Sequence, residues 1–594
     1  MTRPVLPSSA RRAGAVIAWV LGGILLLMLA AACWLGVRGL LAYQHLEAAR
    51  SQVATIRDGL DDPAAVTERL GDLQADTAAA HDLTSDPVWK ASESLPWVGP
   101  QLAAVSTVAA AVDDLAATSL QPLADAAGGL SLDALRPVDG RFDLETIAAL
   151  HPAAAEGAAG IARAEASVSS IDSTALVAPL RSAVDDMSRM LGDTAPAADA
   201  LARATALLPA MLGAESPRDY LVLVQNNAEW RSLGGIVGAM VVLHADDGRL
   251  TLTATGSTAD FTRFDDAVVP MDAETLALFG ERPARYIQNA TQIPDFTVSA
   301  PIAREMWARE FGTSVDGVLT IDPVTLSYLL TATGPVNLPT GDVLTADNAV
   351  DLLLNEVYLR YARPADQDAF FAAASAAVFT ALVDGESDPT TLIGALARAG
   401  GERRLLIWNA HEDEQALLDG TTLQGRLPVT DATTTRFGVY VNDGTGSKMD
   451  YYTELTAGVG WCTGPDSDSL AELTVTLRNN APADAASLPA YITGAENYGV
   501  PRGSARTVAY IYLPQGAELV ASGVGDDADF AGFGGGMHAG RLVQMWTSEL
   551  APGEQSTATF VVRTPRTPAL GTELSPTINA AETGAVASSC ESAQ

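Results

Sequence analysis

Apolar runs separated by polar stretches stand out most clearly at residues 220–255, and they predict three neighbouring strands. Residues 220–224 and 236–244 are apolar runs typical of buried strands, and Asp246-Asp247-Gly248 then turns the chain into a third run at 249–255. The insert between the first two runs reads QNNAEWRSLGG, which is rich in side-chain amides and ends in paired glycines. This pattern predicts a polar loop at the rim of a sheet.

Six residues of this insert are candidates for ligand binding. Glycine lets a backbone approach a ligand closely, and arginine offers a planar fork of donors suited to phosphate or carboxylate. The candidates are Gln225, Asn226, Asn227, Arg231, Gly234 and Gly235. The alternative interpretation is structural: the amides satisfy the loop backbone, and Arg231 pairs with Glu229 at the surface.

Residues 14–41 form an apolar stretch interrupted only by Arg38, and they predict a transmembrane helix inserted in a lipid bilayer. Arg3, Arg11 and Arg12 precede it, so residues 1–13 are expected to be a cytoplasmic tail and the bulk of the chain extracytoplasmic. A cleaved signal peptide and a lipoprotein modified at Cys33 are the alternatives. The apolar run is longer than a signal peptide needs and continues past Cys33, which favours a single-pass anchor in the cell membrane.

Three further regions follow the anchor. Ala-rich helical patterns at 42–212 predict an extracytoplasmic stalk or bundle. Strands and helices alternate at 213–432, which predicts an α/β domain. Short alternating apolar runs separated by Gly, Pro, Asp and Asn at 433–594 predict a β-sandwich. The expected fold is therefore multidomain.

The formal charge of −36 excludes a nucleic-acid role, because phosphate backbones require a basic face. Acidic pairs such as Asp366/Asp368 have the oxygen ligands that divalent cations prefer. In so acidic a chain, solvated surface acids are the competing explanation.

Three cysteines occur, and Cys33 belongs to the apolar segment. The remaining two, Cys462 and Cys590, are expected to pair in an oxidising compartment, since each follows a strand-like run near one end of the predicted sandwich. A mobile carboxyl-terminal tail with a free thiol is the alternative.

Several motifs together resemble an uncharacterised bacterial family. They are QNNAEWRSLGG, VDGVLTIDPVTLSYLLTATGPVNLPTG, NAVDLLLNEVY and GSKMDYY, within roughly residues 86–450. The family, of the DUF4012 type, comprises membrane-anchored envelope proteins common in actinobacteria. The resemblance implies location and architecture, but no established activity.

A more distant resemblance is to the LytR-CpsA-Psr phosphotransferases, which attach glycopolymers from lipid pyrophosphate carriers to the cell wall. It implies a pyrophosphate clamp of Arg231, Arg263, Arg360 and Arg363, with Asp260 or Asp366 holding Mg²⁺ as the cofactor. Phe370-Phe371-Ala372-Ala373-Ala374 stands where that family has further arginines, so half of the expected positive charge is missing.

Two function classes remain open. The first, which the missing arginines favour, is a non-catalytic binding or scaffold protein for cell-surface polysaccharide or its export machinery. The second is a phosphotransferase-like enzyme acting on a polyprenyl-pyrophosphate-linked glycan. Hydrolase chemistry is disfavoured, because no G-x-S-x-G motif appears and histidine is scarce.

Overall fold

The computed structural model describes residues 8–58, 63–120, 122, 136–384, 387–463, 469–525, 532–582 and 590. The chain forms two compact units. The helical unit comprises residues 1–134 and 144–209, and the mixed unit comprises residues 135–143 and 210–594. Residues 1–7, which are most of the predicted cytoplasmic tail, lie outside the described residues.

The helical unit is α-helical, as the Ala-rich pattern predicts. Its α-helices are α1 (Ser8–Asp58), α2 (Pro63–Thr84), α3 (Pro87–Ser92), α4 (Val98–Leu115), α5 (Leu144–Ser169) and α6 (Ala178–Met211). Helix α3 begins where Asp86 caps the free amides of Val88 and Trp89, and Pro87 has no amide hydrogen to leave unpaired. Helices α4, α5 and α6 share a core of small and aliphatic side chains, including Ala104 and Ile161.

Helix α1 carries the apolar segment, and every side chain from Val16 to Ala30 is exposed. By length and composition, two helices among the described residues are able to cross a membrane, Val16–Val53 and Val98–Leu120. The second is 33% buried inside the protein, as a core helix would be, whereas the first is 0% buried. Helix α1 is therefore the candidate membrane anchor.

The first part of the mixed unit is a five-stranded sheet in the order β3-β2-β1-β4-β7, with helices interleaved along the chain. Its strands are β1 (Arg218–Arg231), β2 (Gly234–Asp246), β3 (Arg249–Ser257), β4 (Gly317–Ile321) and β7 (Leu406–Asn409). A two-stranded ribbon of β5 (Val336–Asn337) and β6 (Val343–Leu344) lies between the last two in sequence. Strand β1 runs antiparallel to β2 and parallel to β4, so the sheet is mixed.

Eight helices are described in this part, and four of them begin at a capping aspartate. They are α7 (Ala273–Phe279), α8 (Phe296–Phe311), α9 (Pro323–Thr333), α10 (Ala349–Asp351), α11 (Val357–Arg360), α12 (Pro364–Val383), α13 (Pro389–Gly401) and α14 (Glu412–Ala416). A π-helical turn, Leu352–Glu356, joins α10 to α11. Helix α8 packs Phe296, Ile302 and Met306 into the core beneath the sheet.

The second part of the mixed unit contains two more five-stranded sheets, in the orders β12-β15-β10-β9-β17 and β13-β14-β11-β8-β16. The strands are β8 (Thr434–Asp443), β9 (Thr453–Trp461), β10 (Leu470–Asn479), β11 (Ala505–Tyr512), β12 (Glu518–Val524), β13 (Gly534–His538), β14 (Arg541–Leu550), β15 (Gln555–Arg563), β16 (Ala569–Leu574) and β17 (Ala580–Glu582), and a short helix, α15 (Ala490–Thr493), precedes β11. Leu473 and Phe560 from one sheet and Val441 and Trp546 from the other enter a common hydrophobic core. Trp230 of β1 is fully buried in that same core.

One prediction about the first sheet is corrected. The insert after residue 224 is not a loop, because β1 continues through Gln225–Arg231 and only Ser232 and Leu233 separate it from β2. The strand bulges after Val224 and again after Asn226, where its pairing with β2 changes register. Side-chain oxygens accept hydrogen bonds from backbone amides here, including those of Ala228, Trp230 and Gly235.

Candidate functional site

The amides at the end of β1 are buried and bonded within the protein. Gln225 accepts a hydrogen bond from the Gly235 amide at 2.8 Å, and Asn226 accepts one from the Ala228 amide at 3.0 Å. A Cβ atom at Gly235 would lie 2.3 Å from the Asn226 carbonyl oxygen, so only glycine fits there. A Cβ atom at Gly234, whose φ is +126°, would lie 2.4 Å from the Gln225 side-chain oxygen. The close approach that these glycines permit is to their own chain.

Asn227 belongs to a second buried network, which is centred on Asp322. The Asp322 carboxylate accepts from the Asn227 amide at 3.0 Å and from the Arg404 guanidinium at 2.7 Å. Arg404 also donates to the carbonyl oxygens of Pro576 and Thr577, at 3.1 and 2.6 Å. The network therefore ties the first sheet to the segment between β16 and β17.

Arg231 is buried, with 8% of its surface exposed, and its guanidinium bonds to three protein acceptors. It donates to the Asn289 side chain at 3.1 Å, to the Trp230 carbonyl at 2.7 Å and to Glu229 at 3.1 Å. The second Glu229 oxygen accepts from the buried ammonium of Lys448. The expected pairing of Arg231 with Glu229 thus occurs, but in the interior rather than at the surface.

Two further acids, the half-buried Asp443 and the buried Asp450, complete this cluster. Asp450 accepts a 2.7 Å hydrogen bond from the Trp230 amide, and Asp443 accepts from the amides of Thr445 and Gly446. We define Glu229, Arg231, Asp443, Lys448 and Asp450 as the ionic cluster. It joins the QNNAEWRSLGG motif to the GSKMDYY motif, more than 200 residues apart.

The pKa values of the three acids in the ionic cluster are shifted in opposite directions. Burial opposes ionisation of Glu229, but Lys448 and Arg231 outweigh it and lower the Glu229 pKa. Burial and the Glu229 charge raise the Asp443 pKa to about 6. Burial and the neighbouring Asp443 raise the Asp450 pKa well above its ordinary value. The two cations therefore favour the charged form of Glu229, whereas burial and the neighbouring acid disfavour the charged form of Asp450.

The short helical turn Met449–Tyr452 separates inward-facing from outward-facing side chains. Lys448 and Asp450 are buried, but Tyr451 and Tyr452 are half-buried and line an open cleft of about 590 Å³. Their rings meet edge to face, with centroids 4.9 Å apart. The ionic cluster thus fixes the segment that presents this pair of tyrosines.

The remaining walls of the cleft are mostly polar. The Tyr451 hydroxyl donates to Asp351 at 2.7 Å, and burial together with this bond raises the tyrosine pKa. Asn480 donates to Glu454 at 3.1 Å, and residues 578–581 form another wall. Of the described residues that line the cleft, two are acids and none is basic. The cleft combines aromatic rings with acceptors and amides, as sites for neutral polar ligands do.

The four arginines proposed as a pyrophosphate clamp each have separate partners. Arg263 lies 5.8 Å from the Tyr286 ring centroid. Arg360 bonds to Asp342 and Glu356, and Arg363 bonds to Asp366 through two 2.8 Å contacts. Arg231 is buried in the ionic cluster, so each of the four arginines contacts a different set of protein groups.

The predicted metal candidates also bond to protein groups. Asp260 accepts from the Ser257 amide at 2.7 Å in a capping box, and Asp366 accepts the fork of Arg363. Among the residues that the structure describes, no group of three or more His, Cys, Asp or Glu side chains is placed to hold a metal. A magnesium site at Asp260 or Asp366 stays a prediction.

Cys462 and Cys590 form a disulfide whose Cα atoms are 5.7 Å apart, and the two residues are separated by 128 positions in sequence. Their sulfur atoms lie against Val561 in a small apolar cluster. The bond connects Cys462, directly after β9, to Cys590 near the carboxyl end of the chain.

Sequence reasoning missed the cleft and most of the ionic cluster. GSKMDYY was recognised as a motif, but Lys448, Asp450 and the two tyrosines were not assigned roles. A usable signal existed: Lys448 is one of only two lysines in the chain, and two tyrosines follow it within four residues. The distant partners of the cleft, such as Asn480, give no such signal.

One family matches part of the chain. Residues 215–358 match the family described as "Protein of unknown function (DUF4012)". The match begins just before β1 and ends at Tyr358, whose hydroxyl accepts from Asn226, so it includes Glu229 and Arg231. Comparison with curated proteins finds no match. The chain thus carries a domain of unknown function within the larger mixed unit. This domain follows the candidate membrane anchor in sequence.

Proposed function

We propose that this protein is a single-pass membrane protein of the cell envelope that binds a neutral polysaccharide without transforming it. The observation that carries the proposal is the cleft, which sets Tyr451 and Tyr452 among carboxylate and amide side chains. Sugar rings have apolar faces that pack on aromatic rings and hydroxyls that need acceptors and donors. An open groove of this chemistry suits a section of a chain of sugars better than a compact apolar ligand.

The negative charge of the cleft and of the whole chain favours neutral ligands over anionic ones. The cleft contains Asp351 and Glu454, and the whole chain carries a formal charge of −36. An anionic polymer would be repelled at both levels. We therefore expect neutral polysaccharides to bind better than acidic ones.

Location outside the cytoplasm is supported by three features. Helix α1 has the length and composition of a membrane span, and arginines precede the apolar segment. The Cys462–Cys590 disulfide fits an oxidising compartment. The two sheets with a shared core fit the predicted β-sandwich, a common architecture of extracellular binding proteins.

The alternative, a LytR-CpsA-Psr-like phosphotransferase, requires several cations around one pyrophosphate. Arg231 is committed to Glu229 and Asn289, and Arg360 and Arg363 are paired with acids. This distribution of charge favours the binding protein over the transferase.

Binding measurements on the full-length protein in detergent test the proposal. The probes are a panel of neutral polysaccharides, with an acidic polysaccharide for comparison, followed by affinity electrophoresis and calorimetry. Tyr451→Ala and Tyr452→Ala should each weaken binding at least about tenfold, or ~1.4 kcal/mol, because buried aromatic contacts dominate such interfaces. Tyr498→Ala is the matched control, since Tyr498 is 54% exposed and does not line the cleft. Equal losses in all three variants, or no binding by the wild type, would contradict the proposal.

A further inference from the structure

The turn between α3 and α4 exposes an unusual set of apolar side chains. Trp97 is 76% exposed and Leu95 is 49% exposed. Val98 is exposed next to Trp97, and Val88 is exposed in the preceding helix α3. Trp97 also has a φ of +66°, a conformation that bulky side chains rarely adopt. The protein thus holds a largely exposed tryptophan in a strained backbone conformation.

This turn belongs to the end of the helical unit that meets the apolar segment of α1. Arg38 donates to the carbonyl oxygens of Leu83 and Asp82 at the end of α2, at 2.8 and 2.6 Å. It also pairs with Asp86, the cap of α3, at 3.0 Å. The Trp89 ring of α3 lies beside Gly39. The junction of α2 and α3 is therefore fixed against residues 38 and 39 of α1.

The edge of a bilayer would fall close to this junction. A span of about 20 residues beginning at Val16, two residues into the apolar segment that starts at Gly14, would end near Leu35. Arg38 lies one turn further on, and Ala42 is completely buried against the helical unit. The α3–α4 turn thus lies where α1 passes from full exposure into the protein.

A second turn reaches the same end of the unit. Gln101, in the first turn of α4, donates to the Ala175 carbonyl at 2.8 Å and accepts from the Val177 amide at 3.0 Å. Val177 is 39% exposed and lies immediately before α6. We define Val88, Leu95, Trp97, Val98 and Val177 as the tip.

We propose that the tip rests in the interfacial layer of the same bilayer that α1 crosses. Tryptophan is favoured at the boundary between headgroups and hydrocarbon, and an exposed apolar patch next to a span is continuous with its lipid-facing surface. The strongly acidic chain would be repelled by anionic lipids, so apolar insertion, and not attraction to headgroups, holds the contact. The proposal rests on α1 being a membrane anchor.

Spin labels on the full-length protein in lipid vesicles test it. With Cys33 replaced by alanine, single cysteines are introduced as Trp97→Cys, Leu201→Cys and Leu26→Cys, and each is labelled with a nitroxide. Leu201 is the matched control, because it is 45% exposed on α6 but lies 23 residues beyond the start of that helix, roughly 34 Å away. Leu26 lies within the apolar segment and reports on the anchor itself. Accessibility to oxygen and to a water-soluble nickel complex is measured at each position.

The proposal predicts that labels at 26 and 97 are reached by oxygen in preference to nickel, and that the label at 201 is reached by nickel. A label at 97 with the aqueous profile of 201, while 26 remains in lipid, would overturn the tip contact and leave the anchor intact. A label at 97 shielded from both reagents would mean that a second copy of the protein covers the tip, which also overturns the proposal. An aqueous profile at 26 would refute the anchor and the tip contact together.

Discussion

Single residues of the ionic cluster determine how the mixed unit holds together. Glu229 receives a guanidinium and an ammonium, and its own strand supplies the Trp230 amide to Asp450. A buried ion pair of this kind is weak evidence for added stability, since desolvation offsets the attraction. Removing one partner is a different matter, because it leaves the other charge buried and unpaired. The cluster therefore joins two distant segments of the chain, and the loss of one charged partner is expected to be costly.

The two lysines of the chain give a matched comparison. Lys448 has a 9% exposed side chain and pairs with buried Glu229, whereas Lys90 has a 52% exposed side chain and pairs with Glu93. We expect Lys448→Met to lower the free energy of unfolding by ~3–5 kcal/mol, and Lys90→Met to lower it by less than ~1 kcal/mol. Urea denaturation followed by fluorescence measures both. Similar small effects in the two variants would mean that the Lys448–Glu229 pair is not desolvated.

Asp443 should make stability depend on pH in a defined window. Its pKa is about 6 in the folded protein, against ~3.9 for an unperturbed aspartate, so the folded state holds a proton that the unfolded state has released. The stabilising contribution is complete below pH ~4 and is lost as pH rises through about 6.

The variant Asp443→Asn isolates this contribution from the many other acids of the chain. We expect the difference in unfolding free energy between wild type and variant to change steadily between pH ~4 and ~6, with the wild type losing relative stability as pH rises. Asp347→Asn, at an exposed acid, serves as the control. A difference that stays constant across this window would show that Asp443 ionises normally in the folded state.

At the scale of elements, the disulfide should stabilise the two-sheet part of the mixed unit. Closing a loop across a sequence separation of 128 is expected to add ~4–5 kcal/mol to the free energy of unfolding, because the bond reduces the conformational entropy of the denatured state. The double variant Cys462→Ser/Cys590→Ser, or the wild type with a reducing agent, should show that loss in thermal and urea denaturation. Cys33→Ser should leave the unfolding of this part unchanged. Resistance of the wild type to a strong reductant, with no shift in midpoint, would contradict the contribution.

Strand β1 shows how far element prediction from sequence reaches. The apolar residues 220–224 predict a strand, but the sequence pattern does not indicate that this strand continues through Gln225–Arg231. The continuation depends on partners far away in sequence, Asp450 for the Trp230 amide and Asn442 for the Ser232 amide. Local patterns report local backbone preferences, and a bulged strand completed by distant side chains is not a local preference.

At the scale of the whole molecule, the change from the helical unit to the mixed unit followed from the change in periodicity, but the cleft did not. Its walls come from α10, the turn before β9, the end of β10 and the segment at β17. Tertiary contacts alone bring Asp351, Tyr451 and Asn480 together. The four polar candidates of the insert bond to groups inside the protein, and its two glycines allow a close approach within their own chain. Their role as ligand-binding residues, like that of Arg263, Arg360 and Arg363, stays a prediction.

The orientation of the whole chain is the last prediction. Arg3, Arg11 and Arg12 precede the apolar segment, and no acidic residue occurs before Glu47, so the amino terminus should stay in the cytoplasm and the rest should be exported without cleavage. Alkaline phosphatase fused after Gln594 should be active, because it folds only in an oxidising compartment, whereas a fluorescent protein fused there by the same export route should be dark. Changing all three arginines to glutamate should reduce phosphatase activity, since the charge bias that retains the amino terminus is then reversed. Release of a soluble protein that begins near Cys33 would contradict the anchor, and equal activity of both reporters would contradict the orientation.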